Sequence, residues 1–234
     1  MLEVNTESQE RYFHDLMSKI NNGENITLEF VKRARRIKKI STEQLIQLLE
    51  KMLLTTQKAL EESGIDQLTK MLCRDKFYSI AEEIYNRIKY GEGQEGYKRP
   101  NFGVMVIDVN NFKAINDAYG HLIGDKAIAT CASKILKMVR PTDVVGRIGG
   151  DEFAVLFIGL QGGESQSILK RFTSDLSGIP FNFIYKEHQV SIEINMAIGS
   201  VWVYENEILP PLTSLVHQAD ENMYQVKHSM KRQR

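Results

Sequence analysis

Cysteine is scarce in this chain: only Cys73 and Cys131 occur among 234 residues. Neither has the spacing of a metal ligand, and two thiols do not make a disulfide framework. We therefore expect both to be reduced thiols, as in cytoplasmic proteins. Cys131 falls on the apolar face of a predicted helix, where cysteine packs as a small hydrophobic residue.

Two further absences exclude classes of function. Lys plus Arg and Asp plus Glu number 30 each, so the formal net charge is zero and no nucleic-acid partner is expected. No apolar run approaches the roughly 18–20 residues that span a bilayer, so no membrane span is expected. Residues 1–7 lack a basic stretch followed by an apolar one, which predicts that no signal peptide is present. We expect a cytoplasmic protein.

Length and hydrophobic content predict one domain of about 150–170 residues with a smaller element beside it. Residues 1–64 have the pattern of an all-helical N-terminal region that regulates or dimerises the protein. Residues 65–234 form the second predicted domain, in which helices and strands alternate. The first helical stripe consists of Phe13, Leu16, Met17 and Ile20.

Two segments of the N-terminal region each have two interpretations. Residues 45–59 carry apolar side chains at 3-4-3-4 spacing, which fits an amphipathic helix in a small bundle or a dimerising helix. Residues 32–39 include six basic side chains among eight. This run fits a solvated helix face, or a patch for an anionic partner or a membrane surface.

The second region predicts a layered fold. Helices are expected at about 76–89, 124–139, 163–177 and 212–228, and strands at 102–109, 144–148, 153–158, 181–186 and 190–203. Strands interleaved with helices on the same side, with one antiparallel hairpin in the middle, predict an α/β (α+β) sandwich of ferredoxin-like type.

The most informative motif is the run Gly-Gly-Asp-Glu-Phe at 149–153. Two glycines between apolar runs predict a hairpin, because glycine adopts positive φ without a Cβ clash. The turn would present Asp151 and Glu152 at the end of a sheet, beside a backbone without obstructing side chains. That arrangement suits a metal ion and a polyphosphate.

Asp108 lies near the end of a predicted buried strand, where ligands gather in α/β folds. A single strand-end Asp is commonly only a cap or turn residue. If the hairpin pairs with this strand, however, Asp151 comes next to Asp108, and two carboxylates can share one or two divalent cations. Oxygen ligands beside phosphates favour Mg²⁺. Glu152 points elsewhere by alternation, and could serve as a general base or accept a hydrogen bond from a base edge.

Asn116 and Asp125 flank the run Tyr-Gly-His at 119–121. Their side-chain oxygens can accept hydrogen bonds from the N1–H and the exocyclic amine of guanine. Taken singly, each residue also fits a turn or a helix N-cap, and Asp125 is expected to begin a helix.

Three segments, 107–121, 124–125 and 147–153, resemble the GGDEF-domain family of diguanylate cyclases. The resemblance extends over about residues 66–231: residues 66–69 are similar to the family's first motif, and residues 219–227 to its last helix. It implies a palm-type, ferredoxin-like domain with a central mixed antiparallel sheet and flanking helices.

The resemblance also implies a reaction. Such enzymes join two GTP molecules into cyclic di-GMP and release two pyrophosphates, in a homodimer whose chains face each other in a bacterial cytoplasm. Mg²⁺ or Mn²⁺ would neutralise the triphosphate. The resemblance implies that Asp125 favours guanine, because in relatives that accept adenine the corresponding residue resembles serine.

The family's site residues carry over by position. Asp108, Asp151 and the Val109 carbonyl would hold the metal, and Glu152, with Asp151 in the catalytic pair, would assist deprotonation of the 3′-hydroxyl. Asn116 and Asp125 would bind guanine. Contacts to the phosphates are implied for the backbone of Phe112 and Lys113 and for the side chains of Lys227 and Lys231.

Arg140 and Asp143 form an Arg-x-x-Asp pattern upstream of the hairpin. The pattern resembles the family's inhibitory site, where the product binds and holds the domains apart. Arginine grips phosphate and stacks on guanine, while Asp pairs with the guanine edge. Arg171 on the following helix is a possible secondary contact.

Four sites along the chain depart from the family's usual residues. Lys70 replaces a glycine, Asn110 replaces the commoner second Asp, residues 73–75 are Cys-Arg-Asp where Asn-Arg-Arg is usual, and residues 230–232 are Met-Lys-Arg where Gly-Arg-Asn is usual. The last change weakens the expected phosphate clamp, since lysine lacks the arginine fork. These departures keep an alternative open: an inactive GGDEF module that senses GTP or cyclic di-GMP.

Overall fold

The computed structural model describes residues 13–19, 47, 50–51, 64–91 and 98–232, with the backbone alone at 231–232. The chain divides into two compact units, Met1–Ser63 and Gly64–Arg234. None of the helices in these ranges combines the length and the low polarity that crossing a bilayer requires.

In the first unit, residues 13–19 are helical, as their apolar spacing predicts. Residues 47, 50 and 51 are helical as well. The basic run at 32–39 and most of the 45–59 segment lie outside the described residues, so both of their interpretations stay predictions.

The second unit contains seven strands and five helices within its described residues. In chain order they are β1 (Leu72–Cys73), α1 (Arg74–Gly91), β2 (Asn101–Val109), α2 (Phe112–Tyr119), α3 (His121–Leu136), β3 (Val144–Arg147), β4 (Glu152–Leu160), α4 (Glu164–Asp175), β5 (Ile179–Tyr185), β6 (His188–Ile194), β7 (Met196–Val203) and α5 (Leu212–Arg232).

The main sheet has five strands in the order β1-β3-β4-β2-β7, and β5 and β6 form a separate two-stranded sheet. Only the β1–β3 pair is parallel among these ladders, so the sheet is mixed and mainly antiparallel, as predicted. Strand β2 lies between β4 and β7. Eight of its nine residues are buried, which explains its continuous apolar run.

Alternate residues of β2 enter two different hydrophobic cores. Met105 and Ile107 belong to a core that includes buried residues of α3 and α4. Val104 and Val106 belong to a second core with α1 and α5. Helices therefore cover both faces of the sheet, and the prediction that they share one side was wrong. Because successive side chains of a strand point to opposite faces, a buried central strand needs two cores.

Helix α3 presents the predicted apolar stripe. Ile128, Cys131 and Ile135 are fully buried on it. Burial raises the pKa of the Cys131 thiol to about 12, so this side chain behaves as a hydrophobic residue, as expected. The helix begins at His121, three residues before the predicted start, so Asp125 lies inside the helix and does not begin it.

Two other expectations about the elements were wrong. The segment 112–119, for which no helix was predicted, forms α2. The predicted strand 190–203 is two strands, because the chain leaves the small sheet and joins the large one at Asn195. The Asn195 side chain accepts a hydrogen bond from the Gly178 amide at 2.8 Å, and its carbonyl accepts one from the Asn110 amide at 2.9 Å. These long-range contacts interrupt the strand.

Candidate functional site

The turn between β3 and β4 is held by two arginines. Arg74 Nη1 donates to the Ile148 carbonyl at 2.8 Å, and Arg147 Nη2 donates to the Gly150 carbonyl at 2.7 Å. The Val109 amide donates to the Asp151 carbonyl at 3.0 Å, which ties the turn to the end of β2. The predicted hairpin is present, and its turn is anchored to neighbouring elements.

The two glycines of the turn do not have the backbone conformation that was expected from the sequence. Neither Gly149 nor Gly150 has positive φ. A Cβ at Gly149 would overlap the carboxyl of Glu152, whereas a Cβ at Gly150 would meet nothing within 4 Å. A side chain at Gly149 would therefore require the Glu152 carboxyl to move.

Arg147 also connects the turn to the first loop of this unit. Its Nη1 lies 3.2 Å from Asp66 Oδ2, and Asp66 Oδ1 accepts hydrogen bonds from the Thr69 amide at 2.8 Å and hydroxyl at 2.6 Å. Desolvation alone would raise the pKa of the Asp66 carboxyl, but the Thr69 hydrogen bonds and the Arg147 charge outweigh it and lower this pKa. The sequence analysis assigned Arg147 no role.

Strand register places Glu152 beside Asp108, so the prediction that Glu152 points elsewhere was wrong. Asp108 of β2 lies opposite Glu152 of β4, so their side chains share one face of the sheet. Asp108 is only 3% exposed. Lys227 of α5 compensates its charge, with Nζ 2.6 Å from Oδ1 and 2.7 Å from Oδ2. The sequence analysis assigned Lys227 to the phosphates and missed this ion pair.

Glu152 lies in an acidic environment. Desolvation raises the pKa of its carboxyl, and the charges of Asp108, Asp151 and Asp220 raise it further, against a lowering effect of Lys227. The Glu152 carboxyl therefore interacts with three other carboxylates, Asp108 and Asp151 near the strand ends and Asp220 on α5, and with one lysine.

A cleft of about 520 Å³ opens beside these acids. It is bounded by the end of β2, the first turn of α2, the β3–β4 turn and α5. The predicted residues that line it are Val109, Phe112, Lys113, Asp151 and Lys227. Asn111 turns the chain from β2 into α2 with a left-handed backbone, φ 56°. The first amides of α2 thus start at the edge of the cleft, where a helix N-terminus favours an anion.

The donor set fits a hard divalent cation. Its oxygens come from the Asp108, Asp151 and Glu152 carboxylates, and the buried Asp108 already holds one cation, the Lys227 ammonium. Among the residues whose side chains the structure describes, no group of three or more His, Cys, Asp or Glu side chains is arranged to hold a metal ion.

The two predicted base-binding residues lie on neighbouring helices. Asn116 lies on α2, and Asp125 is an exposed residue of α3. The Asn116 Oδ1 atom is buried without a hydrogen-bond partner and packs against Gly124, the residue before Asp125. The sequence analysis gave Gly124 no function of its own.

The Arg-x-x-Asp segment forms a tight turn after α3. The Arg140 amide donates to Asp143 Oδ2 at 2.8 Å, and the Asp143 amide donates to the Arg140 carbonyl at 3.0 Å. The exposed Arg140 side chain pairs with Glu164 of α4 at 2.6 Å. Arg171 of α4 donates to the Met138 carbonyl at 2.8 Å. The turn and α4 are therefore in contact, and both arginines have partners within the chain.

Two positions that depart from the usual family sequence touch each other. Asn110 Nδ2 lies 3.2 Å from Met230 Sδ and donates to it. The neighbouring Lys231 side chain lies outside the described residues, so its phosphate contact stays a prediction.

Residues 63–233 match the family described as "Diguanylate cyclase, GGDEF domain". The chain is 29% identical over 126 residues to a probable diguanylate cyclase, DgcT, of Escherichia coli, covering 54% of this chain and 27% of that protein. It is 28% identical over 171 residues to the response regulator PleD of Caulobacter vibrioides, covering 73% of this chain and 35% of that protein.

Solved structures have the same fold. The GGDEF domain of YfiN from Pseudomonas aeruginosa superposes with a TM-score of 0.58 at 28% identity, covering 70% of this chain and 89% of that one. The GGDEF domain of DgcB from Caulobacter crescentus, crystallised with c-di-GMP, gives 0.57 at 24% identity, covering 71% and 91%. The chain spans only part of the curated relatives it matches, 27% of DgcT and 35% of PleD.

Proposed function

This chain belongs to the GGDEF-domain family of diguanylate cyclases, and from that premise we propose that it condenses two GTP molecules into cyclic di-GMP. The observation that carries the proposal is that Asp151 and Lys227 line one cleft at a helix N-terminus. Lys227 is also paired with Asp108, and Glu152 lies opposite Asp108 in the β2–β4 register. Carboxylates that can hold a metal, beside groups that can hold phosphates, are what nucleotidyl transfer requires.

The phosphates of GTP would lie in the cleft. The first amides of α2, at Phe112 and Lys113, donate hydrogen bonds to phosphate oxygens, and Lys227 and Lys231 supply positive charge. Asn116 and Asp125 bind the guanine base. Helix α2 then fixes the distance between the phosphate site and the guanine site, because it carries groups that contact each of them.

A divalent cation, Mg²⁺ or Mn²⁺, would be held by Asp108, Asp151 and the Val109 carbonyl, and would neutralise charge on the triphosphate. The β2–β4 register adds Glu152 as a further oxygen donor close to Asp108. The ammonium of Lys227 would then share Asp108 with the cation, or turn toward the phosphates.

Two chains must face each other, because each cleft has groups for one nucleotide. The 3′-oxygen of each GTP attacks the α-phosphorus of the other. The bond to the β-phosphate breaks and pyrophosphate leaves, while Glu152 accepts the proton of the hydroxyl. Two such transfers close the cyclic product and release two pyrophosphates. Most of the acceleration comes from positioning and from stabilisation of charge.

The test is direct. Pure protein is incubated with Mg²⁺ and GTP, and separately with GTP plus ATP, and the products are identified by mass spectrometry. We expect cyclic di-GMP from the wild type and none from Glu152→Ala or Asp151→Ala. Tight binding of GTP without turnover by the wild type would favour the alternative function, an inactive module that senses the nucleotide. A mixed product from GTP plus ATP would overturn the guanine preference.

We also propose that product binds at the Arg140–Asp143 turn and inhibits the enzyme, with Arg171 of α4 as a second contact. The support is that the exposed Arg140 guanidinium and the Asp143 carboxylate lie on one tight turn beside α4. Arg140→Ala should raise the plateau of cyclic di-GMP several-fold in a progress curve, because product no longer stops the reaction. An unchanged plateau would remove the inhibitory role.

A further inference from the structure

Gly124 is enclosed more tightly than its place in a helix requires. It is the fourth residue of α3 and is buried. A Cβ built at this position would overlap Oδ1 of Asn116 and would lie 3.3 Å from a ring carbon of Phe112. The side-chain amide of Asn116 thus occupies the space that any other residue at 124 would need.

The backbone around this contact is fixed from both sides. The Gly120 amide donates to the Asn116 carbonyl at 2.8 Å, and the Gly124 amide donates to the Gly120 carbonyl at 3.2 Å. Gly120 has φ 85° and connects α2 directly to α3. The two helices are therefore held close together at their connection, and the group that a Cβ at 124 would meet first is the Asn116 amide.

The amide of Asn116 is oriented by this contact. Its oxygen is buried against Gly124 and accepts no hydrogen bond. The amide nitrogen is thus the end of the side chain that remains for a ligand. A nitrogen donor pairs with an acceptor on a base, whereas the neighbouring Asp125 carboxylate pairs with N–H groups. Together the two residues present one donor and one acceptor group to the nucleotide.

We propose that Gly124 is a positioning residue for base recognition: it admits the Asn116 oxygen, so that the amide NH₂ group donates to an acceptor atom of the guanine base. This rests on the proposed function and refines the sequence-based prediction, in which Asn116 accepts a hydrogen bond. A purely structural role is the competing explanation. It predicts that a Cβ at 124 lowers the stability of the domain and weakens every ligand alike, pyrophosphate included.

The experiment measures binding of 3′-deoxy-GTP with Mg²⁺ by calorimetry, since this analogue lacks the attacking hydroxyl and cannot be consumed. Four proteins are compared: wild type, Gly124→Ala, Asn116→Ala and the double variant. We expect either single change to raise Kd at least tenfold. The double variant should bind no more weakly than Asn116→Ala, because alanine at 124 then has no amide to displace.

Two controls separate positioning from general damage. Gly162→Ala places a Cβ where nothing lies within 4 Å and should leave Kd unchanged. Pyrophosphate with Mg²⁺ probes the phosphate end of the cleft, and should bind Gly124→Ala as it binds the wild type. A further variant, Asn116→Asp, keeps the shape but replaces the NH₂ donor by an acceptor, and should bind 3′-deoxy-GTP as poorly as Asn116→Ala.

Three outcomes would overturn the inference. The Gly124→Ala variant could bind 3′-deoxy-GTP with wild-type affinity, or Asn116→Asp could bind it tightly. Alternatively, Gly124→Ala could raise Kd by the same factor in the wild type and in the Asn116→Ala background. If the wild type itself does not bind 3′-deoxy-GTP, the proposed function fails and this inference fails with it. Wild-type binding with an unaffected Gly124→Ala variant removes only the positioning role.

Discussion

At the scale of single residues, left-handed backbone conformations mark where the chain is strained. Among the residues that the structure describes, four other than glycine have positive φ: Lys70, Asn111, Lys186 and Glu187. Asparagine tolerates this conformation, and Lys186 and Glu187 form the two-residue turn of the β5–β6 hairpin, where both central residues need positive φ. Lys70, at φ 61°, is neither an asparagine nor part of a two-residue hairpin turn. Glycine, the usual family residue at this position, adopts this conformation without a steric cost.

Lys70→Gly should therefore stabilise the protein. Relief of the left-handed strain, about 1–2 kcal/mol, exceeds the extra entropy that glycine gives the unfolded chain, about 0.4–1 kcal/mol. We expect a net gain of about 0.5–1 kcal/mol in the free energy of unfolding, measured by urea denaturation. Lys70→Ala is the matched control, since it keeps the Cβ and should bring no comparable gain. Equal effects of both variants would contradict the backbone explanation.

Asp66 supplies a prediction about pH. Its pKa is lowered in the folded protein, so its contribution to stability is present above the unfolded-state value of about 3.9 and is lost as the pH falls through the lower folded value. Asp66→Asn should therefore reduce the free energy of unfolding at neutral pH, with a difference from the wild type that shrinks below about pH 4. Urea titrations at a series of pH values measure this. A difference that stays constant down to about pH 3 would mean that the charge of Asp66 contributes nothing.

At the scale of elements, the packing of α5 on β7 controls the cleft, because α5 carries Lys227. A Cβ at Gly199 of β7 would overlap the Ala219 carbonyl and the Met223 amide of α5. These are backbone atoms, which cannot rotate away as a side chain can. The close approach of strand and helix thus depends on this glycine.

Gly199→Ala should cost at least about 2 kcal/mol of folding free energy, since overpacking commonly costs 1–3 kcal/mol and here the obstacle is backbone. The displaced α5 should also weaken the Lys227–Asp108 pair and lower the rate of product formation. Thermal or urea unfolding measures the first effect, with Gly162→Ala as the control at an open position. A Gly199→Ala protein of wild-type stability would show that α5 can shift without cost.

At the scale of the whole molecule, the reaction needs two clefts that each hold one nucleotide. At concentrations below the dissociation constant of the dimer, the rate should rise with about the second power of protein concentration, and above it with about the first power. Mixing the wild type with an equal amount of Glu152→Ala should lower the rate per wild-type chain by about half, provided that chains exchange and mixed pairs are inactive.

The mixing experiment is needed because a first-power dependence has two explanations. A dimer that stays associated at all the assayed concentrations also gives a first-power dependence. Once slow exchange has mixed its chains, however, such a dimer would still be inhibited by the inactive variant. A first-power dependence without inhibition after exchange would contradict the requirement for two facing chains.

Much of the second unit could be predicted because its signals are local. Alternation and glycine predicted the β3–β4 hairpin, and the buried run of β2 predicted a central strand that ends at the site. Helix α2 was missed because it has only eight residues. Phe112, Ile115 and Tyr119 form a short apolar stripe on it that packs against the core without being fully buried. The strand break at Asn195 was missed because contacts with residues distant in sequence produce it.

The residue types alone decided which chemistry is available: carboxylates at two strand ends, a glycine-rich turn between two apolar runs, and an Arg-x-x-Asp turn. Only tertiary structure decided how these groups pair. Lys227 reaches Asp108 across 119 positions of sequence, and Glu152, not Asp151, lies opposite Asp108. The side chains of Glu152 and Asn116 lie where a Cβ at Gly149 or at Gly124 would be. The reason is physical: composition and periodicity describe what each element can bury, whereas distances between elements arise only when their faces pack against each other.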